Sequence, residues 1–367
     1  MSELLESAKM REAPEVDTLQ KLPPPEARSL FDLERPKSND QTGLLKNRFL
    51  CRVGGLLFCG PTGIGKSSLA MQAMILWGVG KPCFGIEPAR PLKSLLIQAE
   101  NDDGDLAEFR DGICAGLQLT DDEIKMAKEN IVVAREDTRT SIQFFLEVAQ
   151  PLLESYRPDL LWVDPALAYL GGDTGSQRDV GTFLRNHLNP LLHKFDCAAV
   201  VVHHTNKPPA GREKPNWQAG DFAYLGSGSA EWANWARAVL VLRSIGSHDV
   251  FELRAAKRGG RLGWVNEGGE RVYEKYIAHA KEPGAIFWLE VAADEVGQIG
   301  RPKSFDADEI LALLPPEGLA AGEWQETAKR ECGIKESTFH RHRRELAKQN
   351  RVLKSKVTGK WQPIQKP

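Results

Sequence analysis

The stretch GPTGIGKS, from Gly60 to Ser67, decides the fold of this chain. An apolar run at residues 54–59 precedes it and a helix-like run at residues 67–77 follows it. Strand, glycine-rich turn and helix in this order are typical of a P-loop, whose backbone N–H groups point inward at phosphate oxygens. The helix that follows adds the positive end of its dipole. The alternative is a glycine-rich turn without a ligand, and the flanking strand and helix favour the phosphate site.

The two residues that close the motif indicate ATP and Mg²⁺ as ligands. In this pattern Lys66 reaches the β- and γ-phosphates, and Ser67 supplies a hydroxyl group to Mg²⁺. The residues predicted to contact the nucleotide in this stretch are Gly60, Pro61, Thr62, Gly63, Ile64, Gly65, Lys66, Ser67 and Ser68.

Composition places the chain among ordinary globular proteins. Its 367 residues are enough for two or three domains, with 41% hydrophobic and 27% charged residues. The six cysteines form no C-x-x-C pair and mostly lie in apolar runs, which predicts buried thiols in a reducing compartment. The N-terminus lacks the order of a signal peptide and no apolar run has transmembrane length. We therefore expect a soluble, cytoplasmic protein without a membrane partner.

Short apolar runs alternate with helical patterns from residue 49 onward. This alternation predicts an α/β fold, with a mostly parallel central sheet, crossover helices on both faces and ligands at the carboxyl ends of the strands. Strands are predicted at residues 56–59, 94–99, 131–134, 160–163, 198–202, 238–242 and 250–253, with further sheet near 271–277 and 286–291, and helices after Lys66 and at 105–117, 141–155 and 180–195. Residues 1–45 are predicted to form a flexible arm with a short helix near residues 26–33.

Two carboxylates follow apolar strands. Asp164 ends the run Leu-Leu-Trp-Val-Asp, as a Walker B element requires, and is predicted to hold Mg²⁺ together with Ser67. Glu100 follows another strand and is placed to polarise the attacking water as a general base. For Glu100 the alternative is an acidic cluster that caps a helix, with Asp102 or Asp103 as the cap.

Polar residues also follow the run at 198–202. His203 and His204, at the tip of a third core strand, are predicted to sense the γ-phosphate. The alternative is a metal site, which the absence of an acidic or cysteine partner at zinc spacing disfavours. A long polar stretch at residues 206–229 reads as a functional or mobile loop. Arg237, Lys257 and Arg258 lie at the edges of later strands, where spacing alone favours solvated surface charges.

The last segment, residues 306–362, has a different pattern. It predicts three short helices and a hairpin, the order of a winged helix-turn-helix domain, behind a linker at residues 298–304. Eleven basic and three acidic residues lie between Lys329 and Lys360, although the whole chain has a net charge of −2. The DNA contacts predicted here are Lys335, Ser337, Thr338, His340, Arg341, Arg343, Arg344, Lys354, Lys356 and Lys360. A basic winged helix that binds protein is the alternative.

The P-loop, Glu100, Asp164, the HHT-x-K segment and the GSGSAEWANWAR run that ends in Arg237 together resemble the RecA-fold ATPases of the RepA-like replicative helicase group. The resemblance covers residues 49–291 and implies a RecA-like ATPase domain at residues 46–297. It implies that Glu100 is the catalytic glutamate, Asp164 the Walker B aspartate and His204 the γ-phosphate sensor. It further implies that Arg237 and Lys257, with Arg258 beside them, act on the nucleotide of a neighbouring subunit. A homohexameric ring would then line its channel with residues 206–228.

Three functions fit these observations. The first is an ATP-driven helicase that moves single-stranded DNA past Lys207, Arg212 and Lys214 in the channel, with the C-terminal domain as an anchor. The second is a DNA-binding regulator or loader whose assembly ATP controls. The third is a recombinase-type filament, because the RecA core also forms open helices.

Overall fold

The structure is a computed structural model, and it describes residues 26–37, 40–205, 221–224, 228–245, 250–281, 286–292, 307–332, 334, 336–355 and 358–364. The chain divides into two compact units, Met1–Gly297 and Gln298–Pro367. Among the described residues, no helix combines the length and the apolar character needed to cross a membrane. The predicted linker at 298–304 lies outside the described residues.

The first unit is built on a nine-stranded sheet, which confirms the predicted α/β class. The strands of this unit are β1 Gly43–Leu45, β2 Leu50–Cys51, β3 Gly55–Gly60, β4 Ser94–Gln98, β5 Ile131–Arg135, β6 Leu160–Asp164, β7 Ala198–His204, β8 Ala238–Ser244, β9 Val250–Lys257, β10 Glu274–His279 and β11 Trp288–Val291. The order across the sheet is β11-β10-β9-β8-β3-β7-β6-β4-β5, and β1 pairs with β2 separately. The six strands from β8 to β5 run parallel, and β9, β10 and β11 extend them in antiparallel fashion.

Helices cover both faces of the parallel part. They are α1 Lys66–Gly78, α2 Asp103–Gly116, α3 Asp121–Asn130, α4 Ser141–Gln143, α5 Gln150–Tyr156, α6 Ala166–Leu170, α7 Gln177–Gly181, α8 Asn189–Phe195 and α9 Glu231–Trp235. Every residue of β3, β4 and β6 is buried, so these strands read as continuous apolar runs rather than alternating ones. One core cluster includes Trp77 and Trp162, and the other, on the opposite face, includes Phe145 and Phe183.

Some predicted helices differ from the observed ones. The helix predicted at 141–155 is observed as α4 and α5 joined by a π-helical segment, Phe144–Ala149. No helix is predicted at α3, although Thr120 and Glu123 form a capping box at its start. The helix predicted near residues 26–33 is a single 3-10 turn, Leu30–Asp32. Leu44 and Leu45 are fully buried in β1, so packed structure begins before the predicted boundary at residue 45.

The second unit contains the predicted three helices and hairpin. Its elements are α10 Ala307–Ala312, α11 Ala321–Cys332, α12 Glu336–Lys348, β12 Val352–Lys354 and β13 Trp361–Pro363. The strands β12 and β13 pair in antiparallel fashion. Ile310, Trp324, Phe339 and Leu346 form a buried core, which holds the three helices together.

Candidate active site

The P-loop leaves β3 and enters α1, as the sequence predicts. Gly63 and Gly65 have φ angles of +76° and +92°, which glycine adopts without strain. A Cβ atom on Gly60 would lie 2.8 Å from the Leu242 carbonyl oxygen. Gly65 is the N-cap of α1 and has no side chain to cap it, so the first N–H groups of this helix remain available to an anion. The loop therefore fits the phosphate groups of ATP.

Lys66 lies inside this loop. Its side chain is almost fully buried, and its Nζ donates a hydrogen bond to the Pro61 carbonyl oxygen at 2.7 Å. Burial lowers the pKa of Lys66, while the charges of Asp164 and Glu100 oppose that shift. The two carboxylates thus help to keep the ammonium charged beside the phosphate site.

Asp164 ends β6 next to Ser67. The Ser67 hydroxyl donates a hydrogen bond to the Asp164 carboxylate, which lies almost wholly inside the protein. Burial raises the pKa of Asp164 to about 6, with a smaller contribution from the charge of Glu100. A hydroxyl and a carboxylate are ligands that Mg²⁺ accepts, so the pair fits the metal of a nucleotide complex.

Glu100 lies beyond the end of β4, with about half of its side chain exposed. Its Oε1 is 3.6 Å from Nε2 of His204. The buried Gln98 side chain fixes this turn, because its Oε1 accepts hydrogen bonds from the N–H groups of Glu100 and Asn101. Asp102 is the N-cap of α2 and shares a capping box with Asp105, so Glu100 takes no part in the cap.

The two neighbouring histidines face in different directions. Nδ1 of His204 is 3.1 Å from Nζ of Lys66 and 3.3 Å from Oγ1 of Thr62. His203 is fully buried and stacks on Trp232, with ring centroids 4.3 Å apart. Successive side chains of a strand point to opposite faces of a sheet. This geometry brings His204, and not His203, to the P-loop.

The predicted cations lie near the amino end of β3, opposite the P-loop. They are Arg237, Lys257 and Arg258. The backbone N–H of Arg237 donates to Gly55, the first residue of β3, and Lys257 pairs in register with Val239 at the start of β8. A strand rises about 3.3 Å per residue, so the amino end of β3 is roughly 16 Å from the P-loop. Burial, and then the charge of Arg258, lowers the pKa of Lys257.

The same three side chains form one cationic group. Burial lowers the pKa of Arg258, as do the charges of Arg261, Arg237 and Arg48. Lys257 donates to the carbonyl oxygens of Ala233 and Ala236. The structure thus brings the three predicted cations together, away from the P-loop of their own chain.

Several residues near the P-loop are not predicted from the sequence. Trp288 donates from Nε1 to Oγ of Ser68 at 3.1 Å, and its backbone N–H and carbonyl pair with the Gln72 side chain at 2.7 and 2.9 Å. The His279 ring lies against Trp288, with the two ring planes inclined by 39°. No local pattern near residues 279 and 288 indicates that β10 and β11 reach α1.

The basic residues of the second unit differ in exposure. Arg341, Arg344 and Lys354 are exposed, Thr338, His340 and Lys360 are half-buried, and His340 lies 3.5 Å from Glu336. Arg343 lies over the rings of Phe339 and Trp361, so it connects α12 to β13. Of the other predicted DNA contacts, Lys207, Arg212, Lys214, Lys335, Lys356 and the side chain of Ser337 lie outside the described residues.

The nine-stranded sheet and the P-loop define a P-loop ATPase. Residues 21–210, which make up just over half of the chain, match the family model described as AAA domain. The chain belongs to this family. No curated protein matches the sequence.

Proposed function

We propose that this chain is an ATP-driven motor on DNA, a helicase of the RepA-like group that works in the cytoplasm as a homohexameric ring. The observation that carries the proposal is the group of Arg237, Lys257 and Arg258, which lies at the opposite end of β3 from the P-loop. Lys257 and Arg258 are partly buried and Arg237 is exposed. Cations so placed, remote from their own nucleotide site, suit a site that a neighbouring chain completes. A closed ring supplies such a neighbour to every subunit.

Each group near the P-loop has a task in hydrolysis. Lys66 binds the β- and γ-phosphates, and Ser67 and Asp164 hold Mg²⁺, which neutralises the developing charge. Glu100 accepts a proton from the attacking water. The Arg237 of the adjacent subunit then stabilises the charge that develops on the phosphoryl group in the transition state.

The C-terminal unit supplies the DNA anchor in this proposal. Arg341 and Arg344 are exposed on α12, where they are available to phosphate oxygens. Lys207, Arg212 and Lys214 would track single-stranded DNA in the channel. Salt should therefore weaken binding, because each cation that contacts a phosphate releases counterions.

Strand displacement on a forked duplex tests the proposal. We expect unwinding that depends on ATP, and an ATPase rate that single-stranded DNA increases. An ATPase rate that single-stranded DNA does not change, together with no unwinding, would contradict a motor. Arg341→Ala with Arg344→Ala should lower the slope of log affinity against log salt by about 1 to 2 if both residues contact phosphates.

A second candidate is an ATP-controlled DNA-binding regulator or loader that does not translocate. The observation in its favour is that the basic helix α12 belongs to a compact unit of its own. A DNA footprint that survives Lys66→Ala but disappears on truncation after Gly300 would favour this function over the motor.

A further inference from the structure

The order of the strands gives the nucleotide site two distinct sides. Glu100, Asp164 and His204 follow or end β4, β6 and β7, which all lie on one side of β3 in the sheet. These groups surround the position that the γ-phosphate takes beside Lys66. A triphosphate is a linear chain held along the P-loop, so its nucleoside end points away from the γ-phosphate and these groups. The strands β8 to β11 lie on the opposite side of β3 from them.

An exposed aromatic ring lies on that other side, directly against the loop. A Cβ atom on Gly65 would lie 3.1 Å from Cε1 of His279 and 2.7 Å from Cζ2 of Trp288. His279 is an exposed residue, but one side of its ring lies against Trp288, with centroids 3.7 Å apart and ring planes inclined by 39°. Phe251 meets the His279 ring edge-on at 5.4 Å. One side of the imidazole therefore packs against an aromatic layer formed by Trp288 and Phe251.

That layer is rigidly attached to the first turns of α1. Trp288 is buried, and both its backbone polar groups are paired with Gln72 of α1. Its Nε1 donates to Oγ of Ser68, which in turn donates to the Gly65 carbonyl oxygen. The ring of His279 is thus held at a fixed position relative to the phosphate cradle, by which we mean the P-loop from Gly60 to Ser67. A binding platform requires such a fixed position.

We propose that His279, backed by Trp288, is the platform on which the nucleobase of the bound nucleoside triphosphate stacks. The ligand class is a purine or other planar heterocycle whose triphosphate lies in the P-loop, so the inference rests on the proposed nucleotide site. Burial lowers the pKa of His279, which keeps the imidazole neutral at pH 7. A neutral ring stacks on a base by its π-face, without the need for a particular hydrogen-bond pattern.

Calorimetry with two ligands separates base binding from phosphate binding. The ligands are adenylyl imidodiphosphate and inorganic tripolyphosphate, each with Mg²⁺, and the variants are His279→Ala, His279→Phe and the control His193→Ala. His193 is an exposed histidine on α8, outside the candidate site. We expect His279→Ala to bind the nucleotide analogue about tenfold more weakly, with tripolyphosphate affinity unchanged. His279→Phe and His193→Ala should retain both affinities.

A spectroscopic measurement reports stacking independently of affinity. The triphosphate of 2-aminopurine riboside loses fluorescence when its base stacks. At saturation we expect quenching in the wild type and in His279→Phe, and unquenched emission when the analogue is bound to His279→Ala. Quenching that persists in His279→Ala, or an equal loss of affinity for both calorimetric ligands, would contradict the proposal that the base stacks on His279. The proposed nucleotide site would stand. A wild-type protein that binds neither nucleotide would overturn the proposed nucleotide site together with the platform.

Discussion

Two groups that can each carry a positive charge, Lys66 and His204, lie 3.1 Å apart beside the P-loop. Burial and the charge of Lys66 both lower the pKa of His204, so its imidazole is neutral at pH 7. Nδ1 then accepts from the Lys66 ammonium, and the N–H at Nε2 faces Glu100. A phosphate that attracts the ammonium would weaken its contact with Nδ1. His204 thus contacts both Lys66 and the carboxylate proposed as the general base.

At the residue scale, Glu100→Gln separates ATP binding from hydrolysis. The amide keeps the shape of the side chain but cannot accept a proton from water. We expect turnover to fall about 100-fold or more while the affinity for ATP stays within about twofold. Single-turnover kinetics and calorimetry would measure the two effects. If turnover stayed near the wild-type rate, the general base would have to be another group.

Asp164→Asn should change stability in opposite directions with and without Mg²⁺ and ATP. The raised pKa means that the folded protein binds a proton that the unfolded chain has lost, so stability without ligand decreases as pH rises from about 4 to about 6. The shift from 3.8 to about 6 is equivalent to about 3 kcal/mol at most. At pH 7.5 we expect Asn to raise the melting temperature of the ligand-free protein.

The same substitution should remove the extra stabilisation that Mg²⁺ adds to ATP binding, because the carboxylate ligand is lost. Thermal denaturation with ATP, in the presence of Mg²⁺ or of a chelator, measures both effects. A wild-type melting temperature that does not change between pH 4 and 6 in the absence of ligand, or an unaltered Mg²⁺ effect in the variant, would contradict this role for Asp164.

At the scale of elements, the contact between α1 and β11 controls the position of the P-loop helix. Gln72 donates to and accepts from the backbone of Trp288, so both buried polar groups of that residue are satisfied by one side chain. The edge of the antiparallel extension is thereby attached to the helix that begins at the phosphate site. Removal of this amide affects two elements at once.

Gln72→Ala should therefore destabilise the first unit. It leaves a buried N–H and a buried carbonyl without the partner they have now, which costs on the order of 2 to 4 kcal/mol. Chemical denaturation followed by circular dichroism measures the loss. Gln177→Ala is a matched control, since Gln177 is exposed on α7. A cost as small as that of the control would show that water or a local rearrangement replaces the Gln72 amide.

The elements also show which parts of the site can be read from the sequence. Asp164, Glu100 and His204 could be predicted because each interrupts or follows an apolar run, and the carboxyl ends of parallel strands meet at one edge. Gln72, His279 and Trp288 could not, because their contact joins residues more than 200 positions apart and follows from how the antiparallel strands curve over α1. The buried stacking of His203 likewise depends on a partner, Trp232, that no spacing rule identifies.

At the scale of the whole molecule, the first unit carries two groups of charged residues at opposite ends of β3. The phosphate cradle lies at the carboxyl end of β3, and the group of Arg237, Lys257 and Arg258 lies at its amino end. A single chain cannot bring both ends to one nucleotide without unfolding β3. In the proposed ring, each interface joins the cradle of one subunit to the cations of the next.

Mixed complexes test this division of the site. Lys66→Ala lacks a working phosphate cradle but keeps the cations of the other end. Arg237→Ala keeps its cradle but lacks the arginine proposed to act on the neighbouring subunit. Each variant alone should be nearly inactive. In equal mixtures, one interface in four pairs an intact cradle with an intact arginine, so we expect about a quarter of the wild-type ATPase rate if interfaces act independently. Co-expression with two different tags and tandem purification would isolate complexes that contain both variants.

The matched control mixes Lys66→Ala with Glu100→Gln. Both residues belong to the same side of the interface, since Glu100 and Lys66 each lie close to His204 of their own chain. Every cradle in that mixture is defective, so no activity should return, however the subunits are arranged. If the Lys66→Ala and Arg237→Ala mixture were equally inactive, Arg237 would not act on a neighbour. Restored activity in the first mixture alone would establish that the site spans two chains, because no rearrangement within one chain can supply the missing group.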